Sequence, residues 1–450
     1  MKKGFFFGLA VILAAAATGC NIQTHLPDPD TAGEADLRLN KSVAGIIALN
    51  TLKLQASASV DAWTSSDETV AMVNSNGLVV AVSPGRAVIT ASAKGKTADC
   101  AVSVVSSFGD FAEWLAALPE NTAATPYWIQ FSGDLSSLEN NSIALYNLFA
   151  LIENTGRYVG IDLSGSPSSV INPTNVILFP NYAKLVEAIL PEGLTSLGQR
   201  TFYGARGLQR ISLPPGLTTI GSSAFQGCTS LTEINLEGIT SIGSQAFQGC
   251  TSLTKVTLPS SLTDIGMGSQ VFSGCTSLAE VVILPSSRIT IGSYTFKGCT
   301  SLTKVTLPEG ITIIGGEVFQ DCTSLRDLTL PGSVTRILND AFHGCTSLTN
   351  INLPEGLTYI NNGAFKDCTG LREVTLPSTL REINSRLFEG CTNLRTLIFL
   401  KTTPPTYRAS IEEPFGNTHP DLVIKVPADS VEAYRTATGW NAYASIITAR

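Results

Sequence analysis

Apolar and polar residues follow three successive rhythms along this chain, and each predicts a different kind of structure. From about Leu37 to Val105 apolar positions recur at every second residue: Leu52 and Leu54, Val79 and Ala81, Ala87, Ile89 and Ala91, then Cys100, Val102 and Val104. Period two predicts half-buried β-strands, and the turn pairs Asn76-Gly77, Pro84-Gly85 and Lys94-Gly95 divide them into a small sandwich over 37–106. Between 107 and 189 the pattern mixes. Asp110, with Glu113 three residues on, is placed to cap a helix carrying Phe111, Trp114, Leu115 and Leu118. A second amphipathic stretch holds Ile143, Leu145, Leu148, Phe149 and Ile152, and Tyr158 to Leu163 reads as a strand.

The third rhythm, over 190–400, is a repeat. Its clearest copy runs from Leu302 to Gly315, then Phe319 and Cys322, and a Phe/Cys pair fixes the register from Phe225/Cys228 to Phe388/Cys391. Successive cysteines of the series lie 22 to 25 positions apart, and Phe202 with Ala205 makes a ninth, divergent copy. One such unit cannot bury Leu302, Val305, Leu307, Ile311, Phe319 and Cys322 alone, so the copies must stack into a solenoid with a parallel sheet. Proline after each strand (Pro214, Pro259, Pro285, Pro308, Pro331, Pro354, Pro377) ends the ladder because it cannot donate to it, and Glu237 interrupts that series. Glycines such as Gly243 and Gly292 are expected to hold a backbone conformation closed to other residues.

Two resemblances rest on these residues. Trp63 to Asp67, Val70-Ala71, Asn76 to Val79, Pro84-Gly85 and Ile89 to Ala91 resemble the bacterial immunoglobulin-like group 2 domain. That resemblance implies a spacer or adhesive module on a surface protein. The Leu-Pro after each strand, the Ile-Gly near mid-repeat and the Ala-Phe-x-Gly-Cys-Thr-Ser-Leu segment resemble the BspA-like (Treponema pallidum type) leucine-rich repeats. The expected fold is therefore multi-domain: a small all-β Ig-like sandwich, then a leucine-rich-repeat solenoid with mixed α/β caps at 107–189 and 401–450. The closing segment, Leu422 to Ser430 with Val431, Tyr434, Trp440 and Tyr443, is similar to the tails of BspA-like chains; Asp429 and Glu432 are placed to cap a helix that Gly439 stops.

Within Leu-x-x-Φ-x-Φ the x positions point outward and define a candidate concave binding face. One column reads Arg210, Glu233, Lys255, Glu280, Lys304, Asp327, Asn350, Glu373 and Thr396; its mostly alternating signs suit register and solubility as well as contact. The other reads Ser212, Asn235, Thr257, Thr306, Thr329, Asn352 and Thr375, short hydrogen-bonding side chains that equally suit a strand. Neither column holds an aromatic ring that could stack on a sugar.

The N-terminus carries an address. Met1 to Lys3 form a positive segment, Phe5 to Ala17 an apolar run too short to span a bilayer, and Thr18-Gly19 a small-residue site before Cys20, so 1–19 reads as a signal peptide. Ala17-Thr18-Gly19-Cys20 resembles a lipobox, with Ala17 where that family usually has Leu; ordinary cleavage that leaves Cys20 free is the alternative. The resemblance implies an acylated Cys20 as the only membrane attachment, with 20–36 as a tether. A formal charge of −7, with Lys and Arg scattered singly, excludes a nucleic-acid face.

Catalytic chemistry finds no constellation. There is no G-x-S-x-G, no phosphate loop, no CxxC, and three histidines, His25, His343 and His419, without companions. The eight repeat cysteines read as buried free thiols, with disulfides or a metal as alternatives. No enzyme activity, cofactor or metal is expected. The expected protein is an exported, lipid-anchored, adhesin-like binder of an extracellular or host protein, exposed on the outer membrane. A structural envelope protein and a glycan-binding module are the alternatives.

Overall fold

The computed structural model describes residues 10–12, 37–39, 43–47, 51–105, 108–130, 144–166, 182–262, 264–265, 270–285, 291–408 and 412–450. They fall into two compact units, one of residues 1–195 with 205–216, the other of 196–204 with 217–450. Of residues 1–36 only Ala10–Ile12, within the expected leader, is described, as a short strand; Cys20 and the expected tether lie outside the described residues.

In the first unit the period-two segment builds two sheets around one core. Ala62–Ser65, Gly85–Ala93 and Lys96–Val105 run antiparallel, as do Thr51–Lys53, Leu78–Ala81 and Ala71–Val73. Leu52, Ala71 and Val79 from the second set and Ile89, Cys100 and Val102 from the first are buried together. The hairpin at Lys94-Gly95 turns with positive φ at both residues, as a two-residue loop between twisted strands requires.

Val43–Ile47 links this module to the mixed segment that succeeds it in the chain. It lies parallel to Lys96–Val105 on one side and to Tyr127–Gln130 on the other. Val159–Asp162, Leu185–Ile189 and Arg210–Ser212 continue that sheet in parallel. The expected cap is thus made of parallel strands, as the repeats are. Two helices accompany them, Phe108–Ala117 and Ala144–Thr155, burying Trp114, Leu115, Leu148, Phe149 and Ile152. The first begins at Phe108, so Asp110 sits inside its opening turn rather than ahead of it as a cap.

In the second unit most described coils contribute a three- or four-residue strand, a turn, a two-residue strand and the Phe/Cys turn. The longer strands alternate exposed and buried residues, as in Lys255–Leu258 and Glu373–Leu376. Their parallel ladders include Lys255–Leu258 through Glu280–Ile283, Lys304–Thr306 and Asp327–Thr329 to Asn350–Asn352. The two-residue strands, such as Ile313–Ile314, Arg336–Ile337 and Tyr359–Ile360, pair likewise on a second flank.

The phenylalanines form one continuous file. From Phe202 to Phe388 neighbouring rings stack with centroids 5.2–5.8 Å apart, and Phe415 adds a further ring at 6.4 Å. Full burial of such a ring stabilises by roughly 1.5–3 kcal/mol, so the file is a main source of cohesion between coils.

Glycine acts differently from expectation. Gly243 does not have a positive φ; a Cβ there would lie 2.5 Å from the Ser222 amide nitrogen, so the neighbouring coil's backbone excludes any side chain. The left-handed conformation falls two residues on, at Ser223, Gln245, Glu317 and Asp340 among others. A second glycine file, Gly227, Gly249, Gly274 and Gly298, does take positive φ.

The C-terminal segment holds Ala428–Ser430, Val431–Thr436 and Trp440–Ile446, then a strand, Ile447–Ala449, parallel to Val423–Val426. Asp429 lies within a 3-10 turn, no side chain caps the helix, and the helix ends at Thr436, before Gly439. Trp440 and Tyr434 are buried. The Trp440 Nε1 donates to the Pro405 carbonyl at 2.8 Å and the Tyr434 hydroxyl to that of Lys401 at 2.9 Å.

Candidate functional site

The concave columns divide into segments with different chemistry. Lys255, Glu280 and Lys304 occupy facing positions on three adjacent strands. The Glu280 carboxylate accepts from both ammonium groups, at 2.8 Å from Lys255 and 3.1 Å from Lys304. Hydrogen bonds from Lys255 and then Lys304 hold its carboxyl below the ordinary glutamate value. Both ammonium groups therefore share one carboxylate partner. Arg210 is similarly engaged in the first unit, 2.9 Å from Glu187 on the adjacent strand.

Glu233 and Asn235 belong to no strand. The Asn235 side-chain oxygen accepts from the Glu237 amide at 3.0 Å, a local turn that competes with ladder pairing. It is the same coil in which Glu237 replaces the strand-ending proline. Thr257 and Thr306 stand exposed along the sheet, and Asp327 lies in register with Lys304 and Asn350.

Four of the remaining candidates come together. The strands Asn350–Asn352 and Glu373–Leu376 belong to separate sheets although their coils are consecutive. Beside them lies an open depression of about 520 Å³ whose lining includes Asn350, Asn352, Glu373 and Thr375 together with Pro354, Glu355, Pro377 and Leu400. The Glu355 carboxylate accepts from the Ser378 amide at 3.1 Å and its hydroxyl at 2.9 Å. The cavity offers amide, hydroxyl and carboxylate groups beside prolyl and leucyl carbon, a mixture suited to a polypeptide surface. Sequence columns supplied four of its lining residues. They missed Pro354, Glu355, Pro377 and Leu400, because an interrupted ladder leaves no mark in a repeat whose residues still conform.

The cysteines are structural. The nine described cysteines are free and buried. Each repeat thiol donates to the carbonyl of a phenylalanine one coil earlier, Cys250 to Phe225 and Cys345 to Phe319 for example, at 3.0–3.2 Å throughout. Burial pushes the Cys275 and Cys391 thiols up to about 12, and burial with neighbouring thiols raises Cys250, Cys299 and Cys345 well above the ordinary value. A thiol held protonated is a poor nucleophile. Among the described residues no group of three or more His, Cys, Asp and Glu is placed to hold a metal ion.

His343 has companions that the sequence did not reveal. Its Nε2 lies 3.2 Å from Asp367 and its Nδ1 3.9 Å from Asp340. His419 accepts from the Asp421 amide at Nδ1, 3.0 Å. No helix among the described residues is long and apolar enough to cross a membrane.

Comparison with known proteins agrees with this architecture. Residues 175–288 and 267–395 match the BspA type leucine rich repeat region in six copies, and residues 40–103 match the bacterial Ig-like domain (group 2). A leucine-rich repeat protein from Bacteroides ovatus is 24% identical over 56% of this chain and 81% of its own, with a TM-score of 0.33. A leucine rich cell surface protein from Faecalibacterium prausnitzii is 23% identical over 55% of this chain and 74% of its own, TM-score 0.33. The T. pallidum leucine rich repeat protein is 35% identical over 33% of this chain and 69% of its own, TM-score 0.29. No curated protein matches the chain.

Proposed function

Because this chain carries BspA type leucine rich repeats behind a bacterial Ig-like domain of group 2, we propose a non-enzymatic, adhesin-like surface protein that binds an extracellular protein on its concave sheet. Repeats of this class generally serve protein binding, and a solenoid offers a long continuous wall for it. In this reading the signal segment exports the chain, Cys20 receives the acyl anchor on the outer membrane, and the Ig-like module spaces the repeats from it.

One observation carries the choice of contact residues. Lys255 and Lys304 are both tied to the one Glu280 carboxylate by ion pairs, whereas Asn350, Asn352, Glu373 and Thr375 line an open depression between two coils. Contact is therefore centred on the cavity, with the threonine column as its flank. A protein partner suits it better than a glycan, since the outward columns contain no stacking ring.

The experiment fills the cavity and disrupts the ion-pair segment separately. The full chain and two variants, Asn352→Trp with Thr375→Trp, and Lys255→Glu with Lys304→Glu, are used to capture proteins from host extracellular matrix. Loss of capture in the first variant with retention in the second is expected. Equal capture by all three refutes the cavity as the contact. Protease added to intact cells should digest the chain; protection until lysis refutes display.

A further inference from the structure

On the second flank the structure brings two arginines to one tyrosine ring. Arg336 and Tyr359 hold equivalent positions on adjacent two-residue strands, in register with one another. The Arg336 guanidinium lies 5.8 Å from the Tyr359 ring centroid, and that of Arg381, from the following coil, lies 5.7 Å from it. Arg381 also donates from its Nη1 to the Tyr359 hydroxyl at 3.4 Å. Both arginines are exposed, and Ile313, in register with Arg336 on the other side, is 39% exposed.

The chain's own repeats give the measure of what is unusual. Thr335 and Thr358 occupy the slot that Arg381 fills one coil later, and each hydroxyl donates to the preceding coil's carbonyl at 3.1 Å. Arg381 keeps the backbone bond to Thr358 but gives up that side-chain clasp. Tyr359 stands in the file that Ser196, Thr219 and Ser241 fill in earlier coils. A structural hydrogen bond is thus exchanged for an exposed charge held against a ring.

The charge is also unanswered. Neighbouring cations have carboxylate partners: Arg408 with Glu382 at 3.0 Å, Lys366 with Glu389 at 3.1 Å and Lys297 with Glu317 at 2.8 Å. Among the described residues Arg336 and Arg381 have none, on a chain whose formal charge is −7. A guanidinium attracted to a ring face still has N–H donors to offer, and its planar fork can take a carboxylate bidentately. Tyr and Arg beside an exposed aliphatic residue are also the types that dominate protein contacts.

We propose that Arg336, Tyr359 and Arg381, with Ile313 beside them, form a second docking surface for an acidic polypeptide segment whose carboxylates pair with the two guanidinium groups. This surface is independent of the concave cavity. Steering by the unpaired charges makes the association salt-dependent.

The test uses the full chain and a labelled peptide alternating Glu with Leu, followed by fluorescence anisotropy. Arg336→Gln with Arg381→Gln should weaken binding by at least about tenfold, Tyr359→Leu should weaken it, and Tyr359→Phe should retain most of it. Arg326→Gln with Arg372→Gln removes the same charge elsewhere and should leave affinity within about twofold. Equal loss in the two double variants, or no loss in the first, overturns the proposal. So does a sulfated polysaccharide displacing the peptide from both double variants alike.

Discussion

The coils that carry Lys255, Glu280 and Lys304 and the coils that carry Asn350 and Glu373 share one backbone plan and present opposite surfaces. In the former, facing residues of alternate sign draw three strands together, and the ladder is continuous. In the latter, an amide faces a carboxylate, the strands belong to separate sheets, and a cavity opens. The interior does not register this difference. Phe365 stacks on Phe342 at 5.3 Å and on Phe388 at 5.4 Å, as closely as rings do elsewhere in the file. Cohesion therefore resides in the buried files, which leaves the wall free to vary coil by coil.

That division can be broken most severely from inside. Phe296→Ala should destabilise the chain by about 3–5 kcal/mol through lost burial and the void left behind, read as a drop in the urea midpoint. Phe365→Ala tests the joint beneath the cavity: a loss as large as that of Phe296→Ala is expected, and a far smaller one would make the cavity a weak seam. Gly243→Ala, which forces a methyl against the Ser222 amide, should cost about 1–3 kcal/mol, seen as a lower melting temperature.

Alkali provides a subtler route. The unfolded thiols ionise near 9.0, whereas burial holds Cys275 and Cys391 protonated up to about 12. Raised folded-state values mean stability that is whole below pH 9 and drains as pH climbs toward 12. Melts across that range should show it; a flat profile would remove the thiols from the protonated file. In the native state near neutral pH, Ellman's reagent should leave the buried series unmodified.

The smallest effect belongs to the wall. Glu280→Gln should leave the urea midpoint nearly unchanged, because exposed pairs are screened. The Glu280 carboxyl should titrate below 4.5 by NMR, so its contribution is present at neutral pH and fades as acid protonates it. A midpoint at or above that value would show that the two lysines do not hold it.

The sequence predicted whatever depends on period. Val256, Val281 and Val305 alternate with Lys255, Glu280 and Lys304, so spacing alone assigned one set inward and the other outward. Phe202, though its copy is divergent, was placed in file by register. Phe415 was not, because no cysteine follows it at the repeat's distance and only its ring, stacked on Phe388, identifies it. Features depending on two coils at once escaped. The clash that demands Gly243, the Cys250 thiol's bond to Phe225, the Asp367 carboxylate beside His343 and the open cavity all arise between residues about one period apart. No local pattern encodes those distances. The helix starts failed for a related reason: Asp110 and Asp429 have capping chemistry, but packing chose other boundaries.

The glycine file has an evolutionary consequence. Gly227, Gly249, Gly274 and Gly298 each sit against the glycine one coil before, with main chain as nearest neighbour, so every joint there is interchangeable with the next. A recombination event that deletes or duplicates one period restores the same joint at the scar. Whole coils are therefore the natural unit by which such a wall could change length.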